Sequence, residues 1–271
     1  MSPVRRGSVV PHASRYDLLV MSAPFSFEVV DAIDYDELRP NYAPEAVDWV
    51  AQRGGLDEGS TVVDLAAGTG QLSRAFIRLG VDVVAIEPAA NMRAVLQEGI
   101  QRIRAIDGTA ESMALDDSSV DAFVVGNAFH HFDRDRAFAE VARVLRPRSV
   151  LALYWAWPLE ERFLRYPALR EIEEVVESIR ASSDIATAYR VWSEPPSAVE
   201  GFCPFERREF PMTHVIPSKR LADLYATSSD VASLPGARIA HLLERVRELS
   251  HGLPETLRLP GRTVVDLCHR N

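Results

Sequence analysis

Lysine is nearly missing from this chain: of 30 basic residues, only Lys219 is not an arginine. The skew points to a GC-rich coding sequence and so to a bacterial source. Cysteine is scarce as well. Cys203 and Cys268 lie far apart, which argues against a disulfide framework and a thiolate metal centre and leaves both expected as buried small side chains. No apolar run approaches ~18 residues, so no membrane-spanning helix is expected. Arg5 and Arg6 are not followed by a continuous apolar stretch, so no secretory signal is expected and the cytoplasm is the default. Positive charge is not in excess: the net charge of −9 disfavours a general nucleic-acid surface. Histidines 12, 214, 241, 251 and 269 have no ligand spacing, and no acidic cluster demands a metal. Internal repeats and low-complexity tracts are also absent.

What remains is an ordinary globular composition. Hydrophobic residues make up 47% and charged residues 25%, which excludes disorder for the bulk of the 271 residues. Residues 1–25 carry little pattern and read as a loose tail. "PEAVDWVAQR" is an amphipathic helix with proline in its first turn and a stop at Gly54-Gly55. A regular alternation follows. Short apolar runs "TVVDL", "VDVVAIE", "IRAID", "VDAFVVGN" and "SVLALYWAW" read as strands, separated by the helical segments "QLSRAFIRL", "AANMRAVLQEG" and "RDRAFAEVARVLRP". That rhythm predicts a doubly wound α/β fold with a mostly parallel sheet covered on both faces. After Pro158 the rhythm changes. "ERFLRYPALREIEEVVESIRA" is helical with a proline break, and its glutamates 171, 173, 174 and 177 are expected on a solvated face. "FERREFPMTHVI" reads as a strand bent at Pro211. "SKRLADLYATSS" and "ARIAHLLERVRELSHG" read as helices, and "RTVVDLCHR" as a last strand.

The stretch "VVDLAAGTGQL" raises a chemical question. An aspartate ends a buried strand, and a loop almost without side chains follows it. In an open parallel sheet, ligands bind at strand carboxyl ends where the strand order reverses. Gly68 and Gly70 permit close backbone approach, the next helix offers unpaired N–H groups, and Asp64 can accept from loop amides or a ligand ammonium. A second acid is expected about twenty residues on, at the end of the next strand. Glu87 stands there, placed to take both hydroxyls of a ribose.

"VVDLAAGTGQLSRAF", "VVAIEPAANM", "GTAESMALDDSSVDAFVVGNAFHHF" and "FAEVARVLRPRSVLALYW", in this order, resemble the class I S-adenosylmethionine-dependent methyltransferases. More narrowly they resemble the methyltransferase type 11 group, which includes trans-aconitate methyltransferase-like proteins. "YDELRPNYAPE" resembles the first helix of this group and "TVVDLCHR" its last strand. The resemblance implies a Rossmann-like sheet of seven strands with an antiparallel last strand and a helical lid. It divides the chain into a cofactor-binding core over 26–157, a lid over 158–230, and a helix and strand over 231–271 that complete the core. It also implies S-adenosyl-L-methionine as cofactor, with Asp64, Ala66, Gly68 and Gly70 under its methionine part and Glu87 on its ribose. Pro88 and Met92 pack near the adenine in this reading, and Thr109, Ala110 and Glu111 flank its edge. Asn127 and Ala128 offer backbone to the ammonium. Tyr35, Arg39 and Tyr42 close over the cofactor, with Arg39 toward its carboxylate. Two positions depart from the family pattern: Ala66 replaces the usual first glycine of the loop, and Thr109 replaces an aspartate on the adenine amino group.

Methyl transfer needs positioning, and a base only where the nucleophile carries a proton. His130, just past the fourth strand, is the candidate base, with pocket shaping or helix capping as its alternative. His131 is expected to pack. Phe129, His130, Tyr154, Trp155 and Trp157 are the candidate acceptor pocket, with core packing the alternative for the last three. The expected partner is a small molecule rather than nucleic acid or membrane, and O-methylation is slightly favoured by analogy. A nicotinamide-dependent oxidoreductase, and a protein that keeps the cofactor pocket without methylating, are the competing readings. Neither the acceptor nor the oligomeric state is legible.

Overall fold

A computed structural model describes residues 27–101, 103–180 and 199–271. The expected tail, 1–25, lies outside them. In chain order the elements are α1 (Ala32–Leu38), α2 (Pro44–Gly54), β1 (Thr61–Leu65), α3 (Gln71–Ile77), β2 (Asp82–Ile86), α4 (Ala90–Gly99), β3 (Arg104–Ile106) and β4 (Val120–Gly126). Then come α5 (Arg134–Val144), β5 (Leu145–Pro158), α6 (Glu161–Arg165) and α7 (Ala168–Arg180). After residue 198 follow β6 (Glu206–Pro217), α8 (Leu221–Ala226), α9 (Ser229–Ala232), α10 (Gly236–Ser250) and β7 (Thr256–His269).

Seven strands form one sheet in the order β3-β2-β1-β4-β5-β7-β6. β1 to β5 pair in parallel, and β7 runs antiparallel to both β5 and β6. The chain runs outward from β1 through β2 to β3, then returns to β4 on the other side of β1. The carboxyl ends of β1 and β4 therefore flank the point where the order reverses, and a crevice forms there.

The strands are apolar on both sides because helices cover both faces. Phe123, Leu151 and Trp155 pack with Phe138 and Val141 of α5. Val62, Ala122 and Tyr154 pack on the opposite face with Val47, Val50 and Phe76. A third cluster forms a helical cap: Ile172 and Val176 of α7, Leu221 of α8 and Leu242 and Val246 of α10 meet Ile216 of β6 and Leu257 of β7. Pro167 breaks the helical stretch between α6 and α7, as expected.

Several expectations change. The range 158–230, read as a lid, includes β6, which lies in the main sheet. That strand, expected to bend at Pro211, keeps its register with β7 through it, because β6 is an edge and a missing N–H is tolerated where no further strand requires it. Cys268 is buried, but Cys203 is exposed, its Sγ 3.2 Å from Asn271 Oδ1. The glutamates of α7 do not share one solvated face. Glu171 is exposed and pairs with Arg245 at 3.0 Å, whereas Glu173 turns inward and accepts from Tyr225 Oη at 3.1 Å.

Gly70 opens α3 with φ of +90°. A Cβ there would lie 2.9 Å from Ile100 Cδ1 and 3.1 Å from Leu96 Cγ. Gly70→Ala combines left-handed backbone strain with overpacking and is expected to destabilise by about 2–3 kcal/mol in urea unfolding. A loss below about 0.5 kcal/mol, the range of neutral surface substitutions, would contradict the packing described.

Candidate active site

The loop after β1 holds three residues at positive φ: Ala66 (+55°), Gly68 (+57°) and Gly70 (+90°). Ala66 adopts the conformation a glycine usually supplies, so the departure from the family pattern keeps the loop's shape at a strain of roughly 1–2 kcal/mol. Gly68 leaves an open cradle: the nearest atom to the place of a Cβ is Tyr35 Cε1, 3.8 Å away. Beside it the Thr69 hydroxyl is buried without a hydrogen-bond partner. A polar, side-chain-poor concavity with an unsatisfied buried hydroxyl invites a ligand.

Two acids frame the loop. Asp64 is 1% exposed, and its Oδ2 accepts from Ser73 Oγ at 2.6 Å. Burial pushes its carboxyl up to about 7, against the hydrogen bonds from Ser73. Glu87, at the end of β2, is 5% exposed. Its Oε2 accepts from the Gly68 amide at 2.8 Å and its Oε1 from the Ala89 amide at 2.9 Å. Burial raises its pKa, opposed by these two amides. The sequence placed loop and acid nineteen residues apart, and the fold brings them into direct contact.

The remaining positions spread around this centre. Met92 is buried beside Ala89 under Val30, Ala32 and Tyr35. Pro88 and Thr109 are exposed, Ala110 is buried, and Glu111 accepts from the Asp133 amide at 2.9 Å. At the end of β4, Asn127 has φ of +52° and its Oδ1 accepts from the Ala156 amide at 3.0 Å, next to a half-buried Ala128. Tyr42 packs edge-on against Tyr154, and a Cβ on Gly126 would strike its hydroxyl. Arg74 holds α1 to the loop, pairing with Asp36 and donating to the Thr69 carbonyl at 3.1 Å.

Two cavities share a lining residue here. A small recess lies against the loop, lined by Tyr35, Tyr42, Asp64, Gly68, Thr69 and Gly126 among others. A larger cavity of about 390 Å³ lies between the end of β4, the ends of β5 and β7, and the cap. Tyr35 lines both, and Gly126 of the recess is followed by Asn127 of the cavity. His130, His131 and Trp157 line the cavity, but Phe129, Tyr154 and Trp155 do not: they are 4%, 1% and 2% exposed and packed in the two sheet cores. The reason is strand alternation. Tyr154 and Trp155 face opposite sides of a sheet that is covered on both. Arg162, Met212 and His214 also stand in this wall, and no sequence motif marks them. They reach it from α6 and β6, and only the inward turn of alternate β6 residues could have pointed to the last two.

His130 is buried, 3.9 Å from the His131 ring and 6.0 Å from Trp155 between centroids. Burial pushes its pKa well below the ordinary value, reinforced by His131 and Arg39. His131 is lowered to about 4 by burial, with Nε2 lacking a hydrogen-bond partner and the ring edge-on to Phe27. Both imidazoles are neutral near pH 7. Among the described residues no group of three metal-ligating side chains occurs, and no helix is long and apolar enough to cross a membrane.

Comparison with known proteins converges on one class. A family model, "Methyltransferase domain", matches residues 63–153. An uncharacterized methyltransferase of Mycobacterium tuberculosis is 36% identical over 215 residues, 79% of this chain and 82% of that protein. An Anaeromyxobacter dehalogenans protein provisionally described as a type II methyltransferase superposes with a TM-score of 0.58 at 20% identity, over 86% of this chain and 98% of its own. The 4+2 cyclase SpnF superposes with a TM-score of 0.51 at 16% identity, over 90% of this chain and 93% of its own. The last two likenesses speak to fold alone. The open Gly68 cradle, the unsatisfied Thr69 hydroxyl and the paired acids Asp64 and Glu87 fit the nucleoside and amino-acid parts of S-adenosylmethionine. Given the sheet order, the loop and the mycobacterial relative, the chain belongs to the class I S-adenosylmethionine-dependent methyltransferases.

Proposed function

We propose that this methyltransferase acts on a small-molecule acceptor bound in the 390 Å³ cavity, with oxygen favoured as the methylated atom. The observation that carries the reading is that Tyr35 lines both cavities and that Gly126 of the recess is followed by Asn127 of the larger cavity, which supports an acceptor lying beside a ligand on the glycine loop. A volume of this size suits a compact organic molecule and not a nucleic-acid strand. In this reading 26–157 is the cofactor-binding core, 158–230, β6 included, supplies much of the acceptor wall, 231–271 completes the core, and the enzyme works in a bacterial cytoplasm.

S-adenosylmethionine supplies a methyl group already activated on sulfonium. The chain's own residues bind, orient and exclude water. Glu87 retains lone pairs beyond the two amides it accepts and is placed for ribose hydroxyls. In this reading Asp64 and the backbone of Asn127 and Ala128 accept from the ammonium, and the buried Thr69 hydroxyl adds a polar contact. Pro88, Met92, Ala110 and Glu111 surround the adenine side, and Tyr35 and Tyr42 close the recess. Thr109, exposed, offers a hydroxyl where the family has a carboxylate.

His130 is the candidate general base. Held neutral by burial, it is ready to accept a proton but is a weak base, suited to an acidic nucleophile. If it serves, the acid limb of the pH–rate profile lies below pH 6.5 and disappears in His130→Ala. A variant whose profile matches wild type would leave His130 a shaping residue.

Calorimetric titration with S-adenosylhomocysteine and, separately, with NAD tests the first half of the proposal. Tight binding of the former and none of the latter is expected. Release of radiolabelled methyl into a small-molecule panel tests the second half. Binding without turnover on any acceptor would favour a non-methylating role, such as the cyclase that shares the fold.

A further inference from the structure

Arg39 follows α1, and its backbone sits beside the glycine loop: the Arg39 carbonyl accepts from Gln71 Nε2 at 3.2 Å, at the start of α3. Its side chain belongs to the other cavity. The guanidinium carbon lies 5.2 Å from the Tyr35 ring centroid, and Arg39 lines the large cavity but not the recess on the loop. There its charge bears on His130 and His214, which both line the same wall. His214 is itself tied to the Leu38 carbonyl.

Among the described residues, no carboxylate pairs with Arg39. The contrast within the cavity is direct: Arg162, the other guanidinium in the wall, is paired with Glu173 at 3.4 Å. A half-buried guanidinium without a counter-ion loses hydration and gains no partner, so an anion brought by a ligand recovers what burial removed. A single free cation balances a single negative charge. The planar guanidinium fork matches a carboxylate, whereas a phosphate dianion would call for a second cation. The rest of the wall includes Trp157, Leu169, Met212, Leu224 and Leu259, an apolar lining for an apolar body, together with the carboxylates Glu173, Glu177 and Asp230, none of which pairs with Arg39.

We propose that the acceptor is an organic monocarboxylate with an apolar body, and that Arg39 anchors its carboxylate at the methyl-donor end of the cavity. This rests on the cavity being the acceptor site. It assigns Arg39 to the acceptor and not to the methionine carboxylate of the cofactor.

The test uses wild-type protein saturated with S-adenosylhomocysteine, titrated with 4-phenylbutanoate and octanoate and with the primary amide of each. The acids are expected to bind at least about tenfold tighter than their amides. Arg39→Gln should abolish that preference and Arg39→Lys should keep part of it. Both variants should bind S-adenosylhomocysteine within about threefold of wild type, because no cofactor contact is removed. Equal affinity of acids and amides for wild type overturns the proposal, as does the absence of binding by every probe at millimolar concentration. A preference for acids that survives in Arg39→Gln, with S-adenosylhomocysteine affinity reduced tenfold or more, returns Arg39 to the cofactor and overturns it as well. Failure of wild type to bind S-adenosylhomocysteine is a separate result: it strikes the cofactor pocket and the proposed function beneath.

Discussion

Glu87→Ala is expected to weaken S-adenosylhomocysteine binding by about a hundredfold or more in calorimetric titration. Two effects add. In the proposed reading the variant loses two charge-assisted hydrogen bonds to ribose, each worth roughly 1.5–3 kcal/mol. It also releases the Gly68 and Ala89 amides, which the carboxylate now holds at 2.8 and 2.9 Å, so the loop forfeits the strap that fixes its cradle. Glu87→Gln separates the two effects. One oxygen remains to accept from an amide while the charge is gone, and a loss nearer tenfold is expected. Affinity within threefold of wild type in Glu87→Ala would mean that the ribose is held elsewhere and that the pocket has been misplaced.

Asp64→Asn is expected to divide stability from binding. The Asp64 carboxyl has a folded-state pKa of about 7 against an ordinary value of 3.8, because its burial disfavours charge. Folded protein therefore binds more protons than unfolded protein between these values. The stability this group contributes is present below about pH 4 and lost as pH rises through 7. The difference amounts to a few kcal/mol on the order-of-magnitude conversion of pKa to free energy. Asparagine is isosteric, keeps an acceptor for Ser73 Oγ and carries no charge to bury. At pH 8 the variant should unfold at higher urea than wild type. At pH 4 the two should converge. The quantity to follow is the difference between the proteins, since the buried His130, His131 and His214 tilt each curve the opposite way. The same variant should lose affinity for a ligand bearing an ammonium while its fold gains stability. Parallel pH curves for the two proteins would show that Asp64 is not a strained carboxylate.

Legibility in the sequence followed the range of the interaction. β1, β2 and β4 were bounded to within a residue or two, because β-branched runs ended by glycine, proline or acid are local signals. The apolar run predicts a start for β5 at Ser149, but the strand begins at Leu145. Pro147 suggested a helix stop, whereas the segment joins β4 through a register shift between Val120 and Ala122, with Arg148 at φ of +68°. β7 extends back to Thr256 through Pro260 and Gly261, residues that locally argue against a strand and are held by partners on both sides. The same division applies to the site. Asp64, Gly68, Gly70 and Glu87 announce themselves because the recess is built from main chain, and main-chain geometry constrains residue type. The wall of the larger cavity is built from side chains delivered by α6, α7, α8, β6 and β7, and nothing local marks Met212 or Leu259 as sharing a cavity with His130. Tyr154 and Trp155 misled for the converse reason, as large aromatics at a strand end that serve the core.

The junction at Tyr35 bears on inhibitor design. The recess under it is lined largely by a loop of small residues, Ala66, Ala67 and Gly68, which offers a nucleoside analogue few side chains by which it could be made selective. The larger cavity is lined by side chains such as Arg162 of α6 and Met212 and His214 of β6. A bisubstrate compound that carries a thioether nucleoside through the Gly126–Asn127 step into that cavity would draw its affinity from the first half and its selectivity from the second.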